Sequence, residues 1–297
     1  MTSTKTTRPA KLPFWRTVGR AYALPLNEAD TLGRVMWLRL GVMTPVLLVM
    51  SWLIAPTLAD LMAKIGTPAS KDLRWQLQML SSLKQIVLLP AAASIAVAWH
   101  RFVLTNEQPH ERYLQIDRNV LLYAGYVFVT TIVLNGIGQF PTYLAAATGT
   151  KAPDWAVGVA SLLVLPLLFI VARCSPILVA IALRRSDISL GNVWAAMRRN
   201  TWRLAMGPLV CLILLVIPGL ITLHLGTMNR LSAAVVLTLL DLISIIGGVI
   251  GVSFLSLAYE HFFPTKPRFR FRAGMLVPIP ASKLAAARSV ILVAASP

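Results

Sequence analysis

Six long apolar runs, each long enough to cross a bilayer or nearly so, constrain this chain more than any motif in it. Hydrocarbon offers no partner to a backbone amide, so runs of this kind must fold as helices that pair their own N–H and C=O groups. Span one is expected from about Leu38 to Leu58, span two from about Leu83 to Leu104, and span three from about Asn119 to Leu144. Span four follows from about Trp155 to Ala172, span five from about Leu204 to Leu225, and span six from about Ala233 to Phe262. The expected fold is all-α and polytopic, with six transmembrane helices and an amphipathic cytoplasmic helix between spans four and five. Residues 1–35 form a basic N-terminal segment, residues 36–262 the transmembrane domain, and residues 263–297 a basic tail.

Charge supports the same class. Only 13% of residues are charged, against roughly 25% in a soluble domain. The net charge of +17 resembles a nucleic-acid signature in size but not in placement. Its basic residues flank the apolar runs, and no soluble domain remains to carry a nucleic-acid fold. Counted by loop, 22 of the 28 basic residues fall on the face that carries both termini, and the positive-inside rule makes that face cytoplasmic. Lys64, Lys71, Arg74, Lys84, Lys151 and Arg230 fall on the other face. A bacterial cytoplasmic membrane with both termini inside is the expected location.

The stretch from Arg173 to Leu204 is too polar at its centre to span and too apolar for an ordinary loop. It reads as a membrane-surface segment. The apolar piece Pro176 to Leu183 is far short of a crossing, which places Arg173 at the end of span four; an unbroken helix to Leu183 would instead bury it. Asp187 or Ser189 can cap a helix starting near Leu190, with Leu190, Val193, Trp194 and Met197 on its apolar face. Two further surface helices are expected: a piece from about Leu26 to Arg39 ahead of span one, and KDLRWQLQMLSSL, residues 71–83, ahead of span two. The basic start followed by an apolar run resembles a signal peptide, but its length favours an uncleaved first span.

Catalytic signals are sparse. Cys174 and Cys211 read as small buried hydrophobes, the four histidines are scattered, and no HExxH or Walker-type loop occurs, so neither a metal nor a cofactor is expected. No nucleophile, base and orienting group recur together. Asp241 is the carboxylate deep in an apolar run, and Asn135 on span three falls at a comparable depth. Ionisable groups there mark either a transport path or an interhelical bond, and both readings stay open. Ser244 with Gly248, and Gly247 with Gly251, are small-xxx-small pairs suited to helix contact, and the glycines of span three suggest close approach as well. His100, Arg101, Arg173, Arg198, Arg199 and Arg203 are candidates for binding anionic lipid headgroups or a protein partner on the cytoplasmic face.

Several of these residues also carry a resemblance. His100-Arg101 with Asn106-Glu107 and Pro109, Arg173 with Ser175-Pro176, and Ser189, Ala195, Asn200 and Trp202-Arg203-Leu204 resemble a proteobacterial family of multi-pass inner-membrane proteins. That family is loosely similar to YciC-like proteins and to the membrane domain attached to some glycerophosphodiester phosphodiesterases. The likeness covers about residues 30–260 and implies a helical membrane module with a lipid connection. It supplies no catalytic residue, and Cys174 departs from the apolar residue of the pattern. Two functions follow as expectations: a membrane-organising or lipid-associated module, or a small-solute or ion transporter using a polar path around Asp241 and Asn135. Oligomeric state and cargo are open at this stage.

Overall fold

The computed structural model describes residues 11–64, 70–108, 116–148, 154–211 and 229–264, and every regular element among them is helical. Pro109 of the resembling pattern, most of expected span five and nearly all of the C-terminal tail lie outside the described residues. In chain order the helices are α1 (Phe14–Asn27), α2 (Ala29–Ala63), α3 (Ser70–Thr105), α4 (Arg118–Thr148) and α5 (Asp154–Cys174). They continue with α6 (Pro176–Ala182), α7 (Leu190–Met197), α8 (Thr201–Cys211) and α9 (Arg230–Phe262). Five stretches among them are long and apolar enough to cross a membrane: Ala29–Leu61, Asp72–Thr105, Arg118–Pro141, Trp155–Ala182 and Arg230–Phe262. The architecture is therefore that of a helical membrane protein with five described candidate spans where six were expected. The start of expected span five is α8, which is described as far as Cys211.

Helix continuity corrects two expectations. Neither residues 26–39 nor residues 71–83 form separate surface helices; most of the first and all of the second are the opening turns of α2 and α3. At 1.5 Å per residue the 35 and 36 residues of these helices reach about 50 Å, well beyond a 30 Å hydrocarbon core. No proline separates those turns from the spans, so each helix runs on without a break. The amphipathic N-terminal helix is α1, one segment earlier than expected, and Pro25 sits in its last turn.

α3 is the organising helix, the most buried of the candidate spans, with α2, α4, α6 and α9 packed around it. α2 also packs along α9; α5 joins α4 to α8, and α8 returns to α9. Serines of α9 pin α3 in register. Ser253 Oγ donates back to the Val249 carbonyl at 2.9 Å and accepts the Trp99 indole N–H at 2.7 Å. One turn on, Ser256 Oγ donates to Val252 at 3.0 Å and lies 2.7 Å from His100 Nδ1. With the serine proton committed, His100 Nδ1–H is the donor, and Nε2 can accept from Tyr123 Oη at 3.3 Å.

After Cys174 the chain turns at Ser175, whose Oγ donates to Ala172, and Pro176 opens α6. α6 runs across the ends of α3, α4 and α9 with Leu178, Val179 and Ala180 buried. Arg173 stands in the last turn of α5, while the apolar stretch long enough to cross continues through it to Ala182, so the expectation that Arg173 ends the span is not met. Ser189 caps α7 by accepting from the Asn192 amide, and α7 buries Val193 and Met197 while leaving Leu190 and Trp194 exposed.

Tryptophans mark the two ends of the bundle. Trp15, Trp37, Trp194 and Trp202 are exposed at the end that carries α1 and α7, and Trp52, Trp75 and Trp155 are exposed towards the far end. On α2 the two groups stand about 22 Å apart, a spacing suited to paired interfacial belts. Trp99 alone is fully buried.

The tightest helix contact uses a glycine that sequence reading did not single out. A Cβ on Gly207 of α8 would stand 2.0 Å from Phe254 Cζ of α9, so only hydrogen fits. Gly207→Ala should lower unfolding stability by about 1–3 kcal/mol through overpacking. Thermal melts in detergent should show partial recovery in Gly207→Ala/Phe254→Leu. An unchanged melting temperature in the single variant would show that α8 and α9 do not meet in this way.

Candidate functional site

α3, α4 and α9 line the candidate site as a half-open cleft, because α3 packs on both of the others while α4 and α9 hardly touch. The gap is a cavity of about 660 Å³, within the range of ligand pockets. α3 contributes Gln78, Ser82 and Gln85 and then, nearer the α1 end, Leu89, Ala92 and Ala96. α4 runs in the opposite sense and contributes Asn135 and Thr131, then Phe128 and Val127. From α9 come Asp241 and Ser244, then Gly248, Val249 and Val252. The polar groups share the far half of the cavity and the apolar groups share the half near α1. Tyr123, at the apolar end, turns its hydroxyl towards His100.

Asp241 and Asn135 thus line one cavity, and no hydrogen bond joins them among the described residues. The Asp241 carboxylate instead pairs with the Lys84 ammonium, whose Nζ also lies 3.5 Å from Ser51 Oγ. This tie spans α9, α3 and α2. It corrects the placement of Lys84 among the charges of the far face: Lys84 lies within the second candidate span and is only 9% exposed. Sequence reading missed the pair because the two residues are remote in the chain and Lys84 stands near a span boundary.

The small residues separate into different roles. Ser244 lines the cavity with its hydroxyl bonded back to Leu240, and Gly247 is buried. A Cβ at Gly248 or Gly251 would meet nothing within 4 Å. The same is true of Gly125, Gly136 and Gly138 on α4. Within one chain these glycines leave open space beside the backbone. At Gly207 a side chain of α9 closes on the backbone instead.

The candidate headgroup residues are mostly engaged inside the protein. His100 is fully buried between Ser256 and Tyr123. Arg101 is 5% exposed and donates to the Ala182 carbonyl at 2.8 Å and to Asp117 at 3.0 Å. Arg173 donates through Nε and Nη2 to the Trp194 carbonyl and lies 3.8 Å above the Trp194 ring, joining α5 to α7. Arg203 donates to the Leu12 carbonyl while Asn200 Oδ1 accepts the Leu12 amide at 3.0 Å, so the two clamp the chain ahead of α1. Arg198 and Arg199 are exposed.

Asp117, just ahead of α4, is the hub of this end. Its Oδ1 caps α4 by accepting the Asn119 and Val120 amides at 3.0 and 2.9 Å. Its Oδ2 accepts from Arg101 at 3.0 Å and from Arg184 at 2.7 Å. Burial pushes the carboxyl pKa up, but the Val120 amide and the two guanidiniums outweigh it and hold the value at about 2.

No group of three or more His, Cys, Asp or Glu side chains converges on a metal-sized point among the described residues. No family model matches the chain, and no curated protein or solved structure matches it.

Two outcomes follow from these contacts. Removing one partner of the Lys84–Asp241 pair strands a charge in a poorly hydrated place. Asp241→Asn or Lys84→Met should therefore each cost about 3 kcal/mol, and the double variant should recover most of it. A double-mutant cycle in detergent checks this, and additive losses would refute the pairing. For Asp117 the depressed pKa means that its stabilisation is present above the unfolded value of 3.8 and is lost as pH falls towards 2. Allowing for solvent screening, the loss is about 1 kcal/mol, and it should be missing in Asp117→Asn. Melts across pH 5 to about 2 would show it, and parallel curves for the two proteins would refute it.

Proposed function

We propose that this protein is a carrier for a small molecule, with the cavity between α3, α4 and α9 as its binding site and Asp241 and Asn135 as polar groups facing the ligand. The observation that carries the reading is the shared cavity, since two polar side chains from separate apolar helices converge on a ligand-sized space. Intramembrane ionisable groups that line cavities characteristically mark solute paths. The Lys84 ammonium behind Asp241 offsets the carboxylate charge while leaving one side of it towards the cavity. A bacterial cytoplasmic membrane with both chain ends inside is part of the proposal, supported by the division of basic residues, 22 against five once Lys84 is set aside.

A second reading, lipid association at the α1 end, is favoured by one observation. Arg198 and Arg199 stay exposed between the exposed Trp194 and Trp202, a combination suited to anionic headgroups. The resemblance to YciC-like inner-membrane proteins fits either reading. Loss of anionic-lipid enrichment in Arg198→Gln/Arg199→Gln would support it, and unchanged enrichment would not.

Water access tests the carrier reading. In sealed vesicles, a membrane-impermeant maleimide should modify Asn135→Cys from one side. It should spare Leu163→Cys, which stands on the exposed mid-span face of α5, and the native Cys174 and Cys211, which are buried. Equal inertness of Asn135→Cys and Leu163→Cys from both sides would sink the carrier reading.

A further inference from the structure

We propose that the cavity ligand is a single-chain amphiphile with an uncharged hydrogen-bonding head, such as a hydroxyl- or amide-headed lipid, held with its head towards Asp241 and Asn135 and its chain towards α1. The inference rests on the carrier reading and adds the chemical class of what is carried.

Three observations lead there. The first is the segregation of the lining. On α3 every polar lining residue precedes Ile86, and every lining residue from Ile86 onward is apolar. α4 and α9 repeat the division at matching heights, with Thr131 and Asn135 facing the level of Asp241 and Ser244. A uniformly polar solute would leave the apolar half unfilled, and a plain hydrocarbon would strand the amides and hydroxyls without partners. An amphiphile satisfies both halves at once.

The second is charge. Among the described lining residues Asp241 alone is ionisable near neutral pH, and no lysine or arginine faces the space. Lys84 sits behind Asp241 and already pairs with it, so the local charge is close to balanced. A carboxylate or phosphate head would meet Asp241 and find no cation. The remaining donors and acceptors, Gln78, Ser82, Gln85, Thr131 and Asn135, suit hydroxyl or amide groups.

The third is size. From Ile86 to Ala96 the apolar half extends about 15 Å along α3, enough for one extended medium-length chain. Gly136 and Gly248 hollow the walls, and a Cβ at either would meet nothing within 4 Å. Ala92 adds a small exposed residue at the apolar level. Filling Gly248 or Ala92 with leucine should therefore obstruct the chain without disturbing neighbouring helices.

The experiment uses the full chain in phosphatidylcholine vesicles, with a monoacylglycerol bearing a diazirine near its chain end as probe. Photolysis should place adducts on residues 86–96 of α3, 127–132 of α4 or 245–252 of α9. Excess unlabelled monomyristoylglycerol should suppress them, whereas myristate should not. Gly248→Leu and Ala92→Leu should each reduce labelling about tenfold, equivalent to about 1.4 kcal/mol of lost binding, with melting temperatures unchanged. Two independent fillings guard against misfolding in one. Adducts confined to lipid-facing positions such as Leu163, or equal competition by myristate, would overturn the proposal. If Asn135→Cys is still reached by the aqueous maleimide, the carrier reading survives that failure and only the ligand class falls; if it is inert too, both fall.

Discussion

The polar side chains of α3 set the register on which the remaining helices depend. Ser94 accepts the Arg39 guanidinium of α2 at 2.7 Å, Lys84 pairs with Asp241 of α9, and Trp99 and His100 bond to successive turns of α9. Arg101 fastens α6 and the start of α4. Apolar packing between helices in a membrane is weakly directional, because lipid tails satisfy leucine as well as another helix does. A buried polar group left without its partner costs more than a displaced methyl, so these bonds select one rotation and one height for each neighbour. Most of them lie between Ser94 and Arg101, and the bundle is accordingly dense near α1.

Away from that layer α3 is less constrained, and there the cavity opens. The contrast follows from composition along one helix. Residues 91–103 are largely buried, with small alanines and Ser94 beside Trp99 and Phe102, whereas Gln85, Ile86 and Val87 are exposed. The Lys84–Asp241 pair draws α9 towards α3 at the wider end without drawing α4 with it. The same contact therefore holds two walls and leaves the third apart.

Some of this was legible in the residues. Apolar run length is a local property, so the five described candidate spans could be read directly, as could the Ser189 cap. Asp241 and Asn135 stood out because a polar group in an apolar run is conspicuous whatever its neighbours are. What could not be read was pairing. Lys84 looked like a boundary charge until α9 brought Asp241 to it, and Asn200 and Arg203 looked like surface residues until Leu12 filled the space between them. Glycine misled for a related reason: its absence of a side chain permits either contact or space, and the opposing residue decides. Phe254 faces Gly207, while Gly248 faces the cavity.

A half-open cleft of about 660 Å³ is not neutral. Apolar lining left without neighbours forgoes dispersion contacts that an occupant can supply. Water can fill the far half, where Gln85, Asn135, Asp241 and Ser244 provide partners, but it gains little beside Leu89, Ala92, Val127 and Val249. The apolar half is therefore the part of the protein whose native packing depends most on a molecule other than water. Occupancy and stability are thereby linked: whatever enters that half replaces missing contacts and stabilises the folded bundle by mass action. A lining that was polar throughout could remain hydrated and nearly indifferent to its ligand, whereas this one favours an occupied state on packing grounds alone.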